Sequence, residues 1–244
     1  MQIFSADSEM QAGDHCFFKG ENMNKSIKST DSENDVAGLH AGDIVTFGRY
    51  YQNYDELSPV KWRVLDVADD RALLLSDRAL ESKSFKVSSL KADDVANFLA
   101  NLKKEMSWSA SDLRRWLNSE FFNICFNQKE QSMITSARHM SGFGEETEDR
   151  IFLLSKDEVE KYFPEREDRQ TGITMHVIMK LNPGENDLKK LAGKTDRLIK
   201  NWWLRTSEEM GANYVSGFNN NICCGIEHES LLVRPALWLS MNNK

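Results

Sequence analysis

The chain has 244 residues, with 31 basic and 38 acidic side chains, which gives a formal net charge of −7. A net-acidic chain without a basic stripe argues against nucleic acid as the main partner. No apolar stretch approaches the roughly 18–20 residues that cross a bilayer, so we expect no membrane span.

The N-terminal residues lack the positively charged and continuous apolar regions of a secretory signal. Four cysteines in a chain of this length are too few for a disulfide framework. We therefore expect a cytoplasmic protein with reduced thiols, or an extracellular one if the sequence is a fragment of a longer protein.

The first part of the chain differs in composition from the rest. Residues 1–39 are polar and predict an N-terminal tail or linker, because they contain too little apolar surface to offset the entropy of ordering. Residues 40–244 predict a single α+β domain. It opens with strands over 43–47, 60–67 and 71–75, and a hairpin turn is expected at Asp69-Asp70.

Two helical regions follow these strands. Apolar residues between Val95 and Met106 recur at the spacing of one helix face. Ser109 followed by Asp112 resembles a capping box, and it predicts a second helix that extends through Ser119–Phe126.

The second half of the chain restarts with a strand over 150–154. Ser155 and Glu158 form another capping-box pattern that opens a short helix. Residues 164–200 are polar and predicted to be irregular, with a turn at Asn182-Pro-Gly184. Three predicted strands, 202–205, 213–216 and 231–239, end the chain. Strands, then helices, then strands indicate an α+β fold.

Several separate motifs stand in a particular order along the chain. They include Gly42-Asp-Ile44, Pro59-Val-Lys-Trp62, Trp108-Ser109, Trp116-Leu-Asn118, Ile151-Phe-Leu-Leu-Ser155, Trp202-Trp-Leu-Arg205 and Val233-Arg-Pro-Ala-Leu-Trp-Leu239. Together they resemble the bacterial family called domain of unknown function 6273, over roughly residues 42–240. This resemblance implies an architecture and supplies no activity.

The C-terminal half also resembles the ending of C-type-lectin-like domains and of formylglycine-generating enzymes. That likeness implies small twisted antiparallel sheets, two or more packed helices and long loops. The Glu-Pro-Asn and Trp-Asn-Asp calcium signatures of lectins are absent from the sequence, so calcium-dependent sugar binding is not implied.

Adjacent tryptophans in the predicted strand 202–205 suggest a binding surface. Trp202 and Trp203 face opposite sides of a strand, so one can be core and the other can lie under a loop. Alternatively, an outward Trp203, together with Arg205, is a stacking platform for a sugar ring or a peptide. Arg234, before Pro235, is expected to form a buried or half-buried ion pair with a carboxylate.

A second candidate feature is the loop Gly217–Gly225. Asn219, Asn220 and Asn221 offer amide donors and acceptors that suit neutral polyols and peptide groups, although asparagines also favour plain surface turns. In the lectin-like interpretation this loop faces the ligand.

The thiols of Cys223 and Cys224 at the end of that loop raise a redox alternative. A disulfide between neighbouring residues would be strained, and formylglycine-generating enzymes use cysteines that are several residues apart. Two small, semi-buried residues in a turn are the favoured interpretation. Glu227-His228-Glu229 lacks a second ligand cluster with recognisable spacing, so no metal site is predicted.

These features predict a non-catalytic, metal-independent recognition module of lectin-like fold, with a protein or glycan partner and no cofactor. One alternative is a formylglycine-generating-enzyme-like thiol and copper oxidase. Another is a structural attachment domain linked elsewhere by its tail. The sequence predicts no oligomeric state, and it contains no phosphate-binding glycine loop or nucleophile elbow.

Overall fold

The computed structural model describes residues 27–29, 38–53, 55–86, 106–140, 144–181, 200–208, 211–225 and 230–242. Over these residues the fold mixes α and β, with more strands than helices and mainly antiparallel sheets. Of the segment predicted as a tail, residues 1–26 and 30–37 lie outside the described residues, while Ile27–Ser29 forms strand β1.

A long hairpin begins the first sheet. Strands β2 (Ile44–Asn53) and β3 (Glu56–Ala68) pair antiparallel, and β3 leads through a tight turn into β4 (Arg71–Ser76). The turn residues Asp69 and Asp70 both have positive φ, 51° and 62°, as a two-residue hairpin requires. The predicted hairpin and its strands are confirmed.

Three shorter strands complete this sheet within the described residues: β7 (Ile134–Thr135), β10 (Ile151–Phe152) and β16 (Ala236–Ser240). The order is β1-β2-β3-β4-β16-β10, with β7 also paired to β16. β1 runs parallel to β2, and the other pairings are antiparallel.

A helical stretch packs against the hairpin. It comprises α1 (Asp112–Trp116), a π-helical turn (Leu117–Phe121) and α2 (Phe122–Cys125). Ser111 begins it, because the Ser111 side chain accepts a hydrogen bond from the backbone nitrogen of Arg114. The helix is confirmed where the sequence predicts it.

The start of this helix differs from its prediction. Ser109 is not the cap: it lies in the preceding turn, and its hydroxyl donates to Glu145. The cap is Ser111 because its extended backbone, with φ −70° and ψ 140°, aims the side-chain oxygen at the first turn. Of the helix predicted between Val95 and Met106, only Met106 lies within the described residues.

Aromatic rings from the helical stretch fill the core against β2. The ring of Phe126 lies 5.2 Å from that of Phe47, and the ring of Phe121 lies 4.9 Å from that of Tyr50. Gly48 permits this close approach, because a Cβ at that position would stand 2.6 Å from the Phe126 ring.

The second half contains short elements around a helix. β8 (Ala137–Met140) and β9 (Glu146–Asp149) form a separate antiparallel pair, and α3 (Gln128–Met133) precedes them. Helix α4 (Lys156–Tyr162) begins with the capping box of Ser155, which confirms its prediction.

The segment predicted as irregular over 164–200 is more ordered than expected. It contains a 3-10 helix (Arg166–Arg169), strand β11 (Gly172–Ile173) and helix α5 (Met175–Lys180). The prediction is wrong there because Thr174 caps α5, and buried Val177 and Ile178 drive its packing. The turn predicted at 182–184 lies outside the described residues.

The second sheet comes mainly from the end of the chain. Its strands are β6 (Glu81–Lys83), β12 (Trp202–Glu208), β13 (Gly211–Val215), β14 (Ile222–Gly225) and β15 (Leu231–Val233). Their order is β14-β13-β12-β15-β6, in which only the β12–β15 pairing among these strands is parallel. The strands at 202–205 and 213–216 are confirmed, whereas the last four residues of the predicted loop 217–225 form β14.

The predicted strand 231–239 is wrong as a single element. It breaks at Arg234-Pro235, since proline has no N–H to donate. β15 stays in the second sheet and β16 enters the first.

Among the described residues no helix is both long enough and apolar enough to cross a membrane.

The chain passes from one sheet to the other at a second place, beside the break at Arg234-Pro235. The chain also changes sheets between β4 and β6, through the short strand β5 (Arg78–Ala79), which pairs with β11. The backbone nitrogen of Ser76 donates to Pro235 at 2.9 Å, and that of Leu80 donates to Val233 at 3.0 Å. We call these paired crossings, residues 76–80 and 233–235, the sheet joint.

Candidate ligand-binding cleft at the sheet joint

Trp202 and Trp203, the adjacent tryptophans of the predicted strand, are both core residues. Trp202 is 1% exposed and Trp203 is 0% exposed. The indole nitrogen of Trp203 donates to the backbone oxygen of Lys83 at 2.9 Å. The idea of Trp203 as an outward stacking platform is therefore wrong. β12 lies inside the second sheet, between β13 and β15, and both of its faces are covered.

Arg205 is held in an ion pair with Glu158. Its Nη2 donates to Oε1 of Glu158 at 3.0 Å, and its Nη1 donates to Oε2 and to the backbone oxygen of Leu153. Burial alone would raise the pKa of Glu158, but the hydrogen bonds and charge of Arg205 outweigh it and hold that pKa below its ordinary value.

Hydrogen bonds of its asparagines, most of them from the backbone, hold the asparagine loop in shape. Asn220 is buried with φ +57°, and its backbone oxygen accepts from Nη1 of Arg169 at 3.4 Å. The side-chain oxygen of Asn219 accepts from the backbone nitrogen of Asn221 at 3.1 Å. The loop is therefore a turn built by its asparagines. Its outermost aromatic side chain is Phe218, which is 87% exposed.

Cys223 and Cys224 are consecutive residues of β14, so their side chains point to opposite faces of the strand. The Sγ of Cys224 lies 3.3 Å from the backbone oxygen of Gly211. Among the described residues, no three His, Cys, Asp or Glu side chains gather as metal ligands would. Glu227-His228-Glu229 lies outside the described residues.

A cleft of about 920 Å³ opens beside the sheet joint. This volume is in the range of small-molecule sites. Its charged lining consists of Arg63, Asp77, Arg78, Glu167, Asp168 and Arg234. We call it the Arg234 cleft.

Arg234 supplies the buried positive charge of this cleft. The residue is 2% exposed. Its Nε donates to the backbone oxygen of Ser76 at 3.0 Å, and its Cζ lies 5.4 Å from the ring of Trp202 and 5.8 Å from that of Phe163. The hydrogen bond to Ser76 and the two aromatic rings therefore hold the guanidinium in place.

One nitrogen of this guanidinium is unused. Nη1 of Arg234 is fully buried, and no described residue accepts a hydrogen bond from it. Among the described residues Arg234 forms no ion pair, contrary to the prediction, because Asp77, the carboxylate whose charge acts on Arg234, makes its ion pair with Arg63 at 3.2 Å. Burial lowers the pKa of Arg234 to about 10, so the group is cationic at neutral pH.

Negative charge lies at the rim of the Arg234 cleft. Glu167 and Asp168 are exposed residues of the 3-10 helix that forms one wall. The same helix contains Arg169, which binds the asparagine loop through Asn220. The lining of the cleft therefore combines a buried cation with two exposed acidic side chains and the half-buried Arg78, and the asparagine loop lies behind one wall.

Part of this site has a signal in the sequence. Arg234 stands between apolar residues and before a proline, which marks a buried arginine at a strand end. That its guanidinium keeps a nitrogen without an acceptor depends on Ser76 and Asp77, which lie far away in the chain. The contributions of Arg63, Arg78 and the acidic rim carry no such local signal, and sequence reasoning missed them.

A family model described as Domain of unknown function (DUF6273) matches residues 69–241. The match starts at the β3–β4 turn, although β2 and β3 extend the same sheet before it. It supports the resemblance drawn from the sequence motifs, and its description states no activity. No curated protein and no solved structure matches the chain.

Proposed function

The chain belongs to the DUF6273 family of domains of unknown function, and we propose that it is a non-catalytic recognition module that binds an anionic group in the Arg234 cleft. The supporting observation is the buried, unpartnered Nη1 of Arg234. A buried cationic donor without an acceptor is unfavourable by about 1–3 kcal/mol or more. An incoming carboxylate or phosphate oxygen would remove that penalty.

The chemistry of the guanidinium sets the class of ligand. The planar guanidinium of arginine pairs well with the charged oxygens of carboxylates and phosphates. Glu167 and Asp168 at the rim would repel the remainder of a polyanion. The ligand we propose therefore carries a single anionic group and is otherwise neutral or cationic, as in a peptide carboxylate or a phosphomonoester.

The exposed Phe218 supports a protein as the carrier of that group. Its side chain is 87% exposed at the tip of the asparagine loop, and aromatic residues of this kind anchor protein interfaces. Asn219, also exposed, would contribute an adaptable amide beside it. The structural attachment alternative depends instead on the segment 1–39, most of which lies outside the described residues.

The oxidase alternative has less support. Copper coordination by two thiols needs both sulfurs on one side, whereas Cys223 and Cys224 are neighbours in β14. Absence of a cofactor stays a prediction. The C-type-lectin-like assignment is also a proposal, supported by the second sheet of terminal strands with a loop at its end. An experimental structure compared with lectin-like domains tests it.

Thermal unfolding with simple anions tests the binding function. Sodium acetate and inorganic phosphate are compared with chloride at equal ionic strength, because ligands that bind the native state raise the midpoint. We expect acetate or phosphate to raise it, and citrate, a polyanion, to raise it less. Whichever of acetate and phosphate acts at lower concentration identifies the carboxylate or phosphate class.

Arg234→Met removes the charge and keeps an unbranched side chain. We expect it to abolish the anion-dependent rise. The matched control is Arg115→Met, at an exposed arginine paired with Asp112 that does not line the cleft. Equal rises in both variants, or no rise in the unaltered protein, would contradict the proposal.

A further inference from the structure

A second pocket, of about 730 Å³, lies away from the sheet joint. It is lined by residues of β8, of α4 and its cap, and of the strands β4, β12 and β16. The lining residues that matter here are Arg71, His139, Met140, Glu158, Arg205 and Trp238. We call it the His139 pocket.

Two residues that line this pocket each have a buried polar atom without a partner. Nε2 of His139 and Nε of Arg205 make no hydrogen bond within the part of the chain that the structure describes. The two residues are only 7% and 8% exposed. Both pack on Phe152, whose ring lies 4.2 Å from the His139 ring and 5.6 Å from Cζ of Arg205.

The inner wall of the pocket is electrically neutral. Glu158 balances the charge of Arg205 through two hydrogen bonds. Burial, aided by the positive charge of Arg205, lowers the pKa of His139 to about 4, so the imidazole is uncharged at neutral pH. The inner wall therefore offers hydrogen bonding without net charge.

A hydroxyl group matches these two atoms. The Nε–H of Arg205 is a donor, and a neutral imidazole nitrogen either accepts or donates according to its tautomer. A hydroxyl can accept from Arg205 and still serve either tautomer of His139. A carboxylate only accepts, so it would serve the His139 nitrogen only in the tautomer that carries a proton there.

Apolar surface at the same pocket suits a ring. Trp238 is half-buried in the lining, with the guanidinium of Arg71 over its ring at 4.7 Å. Met140 lines the pocket and is 66% exposed, so it belongs to the rim. An indole beside polar donors and acceptors is the usual surface for a sugar ring.

We propose that the His139 pocket is a second binding site, which takes a neutral polyhydroxylated ligand such as one pyranose unit of a glycan. The site is independent of the Arg234 cleft, so either can fail without the other. It contains Arg205, for which the sequence predicted ligand binding, and its aromatic residue is Trp238 in place of Trp203.

Nuclear magnetic resonance titration of the whole chain tests this site. The probes are the methyl glycosides of glucose, galactose and mannose, and N-acetylglucosamine, each at tens of millimolar for weak binding. We expect at least one to shift the His139 imidazole and Trp238 indole signals saturably, while acetate and phosphate leave them unchanged. Anions that shift these signals in place of the sugars, or no saturable shift with any sugar, would overturn the proposal.

Two variants locate the binding. His139→Leu removes the ring nitrogen and should weaken sugar binding at least about tenfold, whereas the exposed His40→Leu should leave it unchanged. If His139→Leu does not fold, Met140→Lys at the rim replaces it, with an expected weakening of about threefold. Unchanged affinity in a folded pocket variant would overturn the assignment.

Discussion

Nε of Arg234 donates a hydrogen bond of 3.0 Å to the backbone oxygen of Ser76, which lies 158 residues earlier in the chain. The bond joins the two crossings of the sheet joint. The side chain proposed to bind an anion is therefore also one of the links between the sheets. We expect an anion that binds there to stabilise both sheets against unfolding.

Gly48 provides a test of the packing between β2 and the helical stretch. A Cβ there would stand 2.6 Å from the Phe126 ring and 2.9 Å from the backbone oxygen of Cys125, at φ +68°. Gly48→Ala should reduce the free energy of unfolding by about 3 kcal/mol, through backbone strain and overpacking.

The control is Gly144→Ala, because Gly144 has φ +79° and a Cβ added there would meet nothing within 4 Å. Gly144→Ala should reduce the free energy of unfolding by about 1 kcal/mol, from backbone strain alone. Urea unfolding of both variants measures the difference. Equal losses would show that the contact with Phe126 is not tight.

Trp203 and Phe218 make a contrasting pair of aromatic residues. Trp203→Ala should lower the free energy of unfolding by about 3–5 kcal/mol, because the indole is fully buried. Phe218→Ala, at an 87% exposed site, should change it by less than about 0.5 kcal/mol. Thermal unfolding measures both. A Trp203→Ala protein as stable as the unaltered chain would restore an outward position for Trp203.

These two residues also show what sequence alone could decide. Alternation places Trp202 and Trp203 on opposite faces of a strand, which is correct. Whether either face is open depends on β13 and β15 as neighbours of β12, and that pairing is set far along the chain. Phe218 was missed because loop composition does not reveal which side chain points away from the turn.

Elements defined by local chemistry were predictable. The Asp69-Asp70 turn and the Ser155 capping box involve residues within three positions of each other. The Arg234 cleft was not, because the guanidinium meets Ser76, Phe163 and Trp202 only after both sheets form. Its unpaired nitrogen is a property of that assembly.

The ion pair of Arg205 and Glu158 should contribute to stability. Glu158→Gln removes the charge and should lower the free energy of unfolding by about 2 kcal/mol, less than the loss of a fully buried pair because Glu158 is partly exposed. The exposed Glu160→Gln in the same helix is the matched control and should change it little. Denaturant unfolding at neutral pH compares the two.

This pair also predicts an acid dependence. The pKa of Glu158 is lower in the folded state, so its contribution is present above the ordinary value of 4.5 and is lost as pH falls through the folded-state pKa. Stability of the Glu158→Gln variant should fall less over that range. Curves of stability against pH that run parallel for the variant and the unaltered chain would contradict the assignment of this acid dependence to Glu158.

The contribution of His139 to stability should change at higher pH than that of Glu158. Its pKa falls from an ordinary 6.5 to about 4 on folding, so its contribution is complete above 6.5 and is lost progressively as pH falls toward 4. The loss amounts to about 3 kcal/mol. Urea unfolding of the unaltered chain and of His139→Leu across this range measures it. If the free energy of unfolding of the variant changed with pH as steeply as that of the unaltered chain, another group would be responsible for the change.

Anion binding by Arg234 can be observed at the guanidinium itself, by following the Nε–H signal of Arg234 with nuclear magnetic resonance. Sodium acetate and phosphate are added separately at constant ionic strength, with chloride as the reference. We predict a saturable shift of this signal, together with shifts of backbone amides at residues 76–80. Saturable shifts elsewhere with Arg234 unmoved, or no saturable shift at all, would contradict the proposed function.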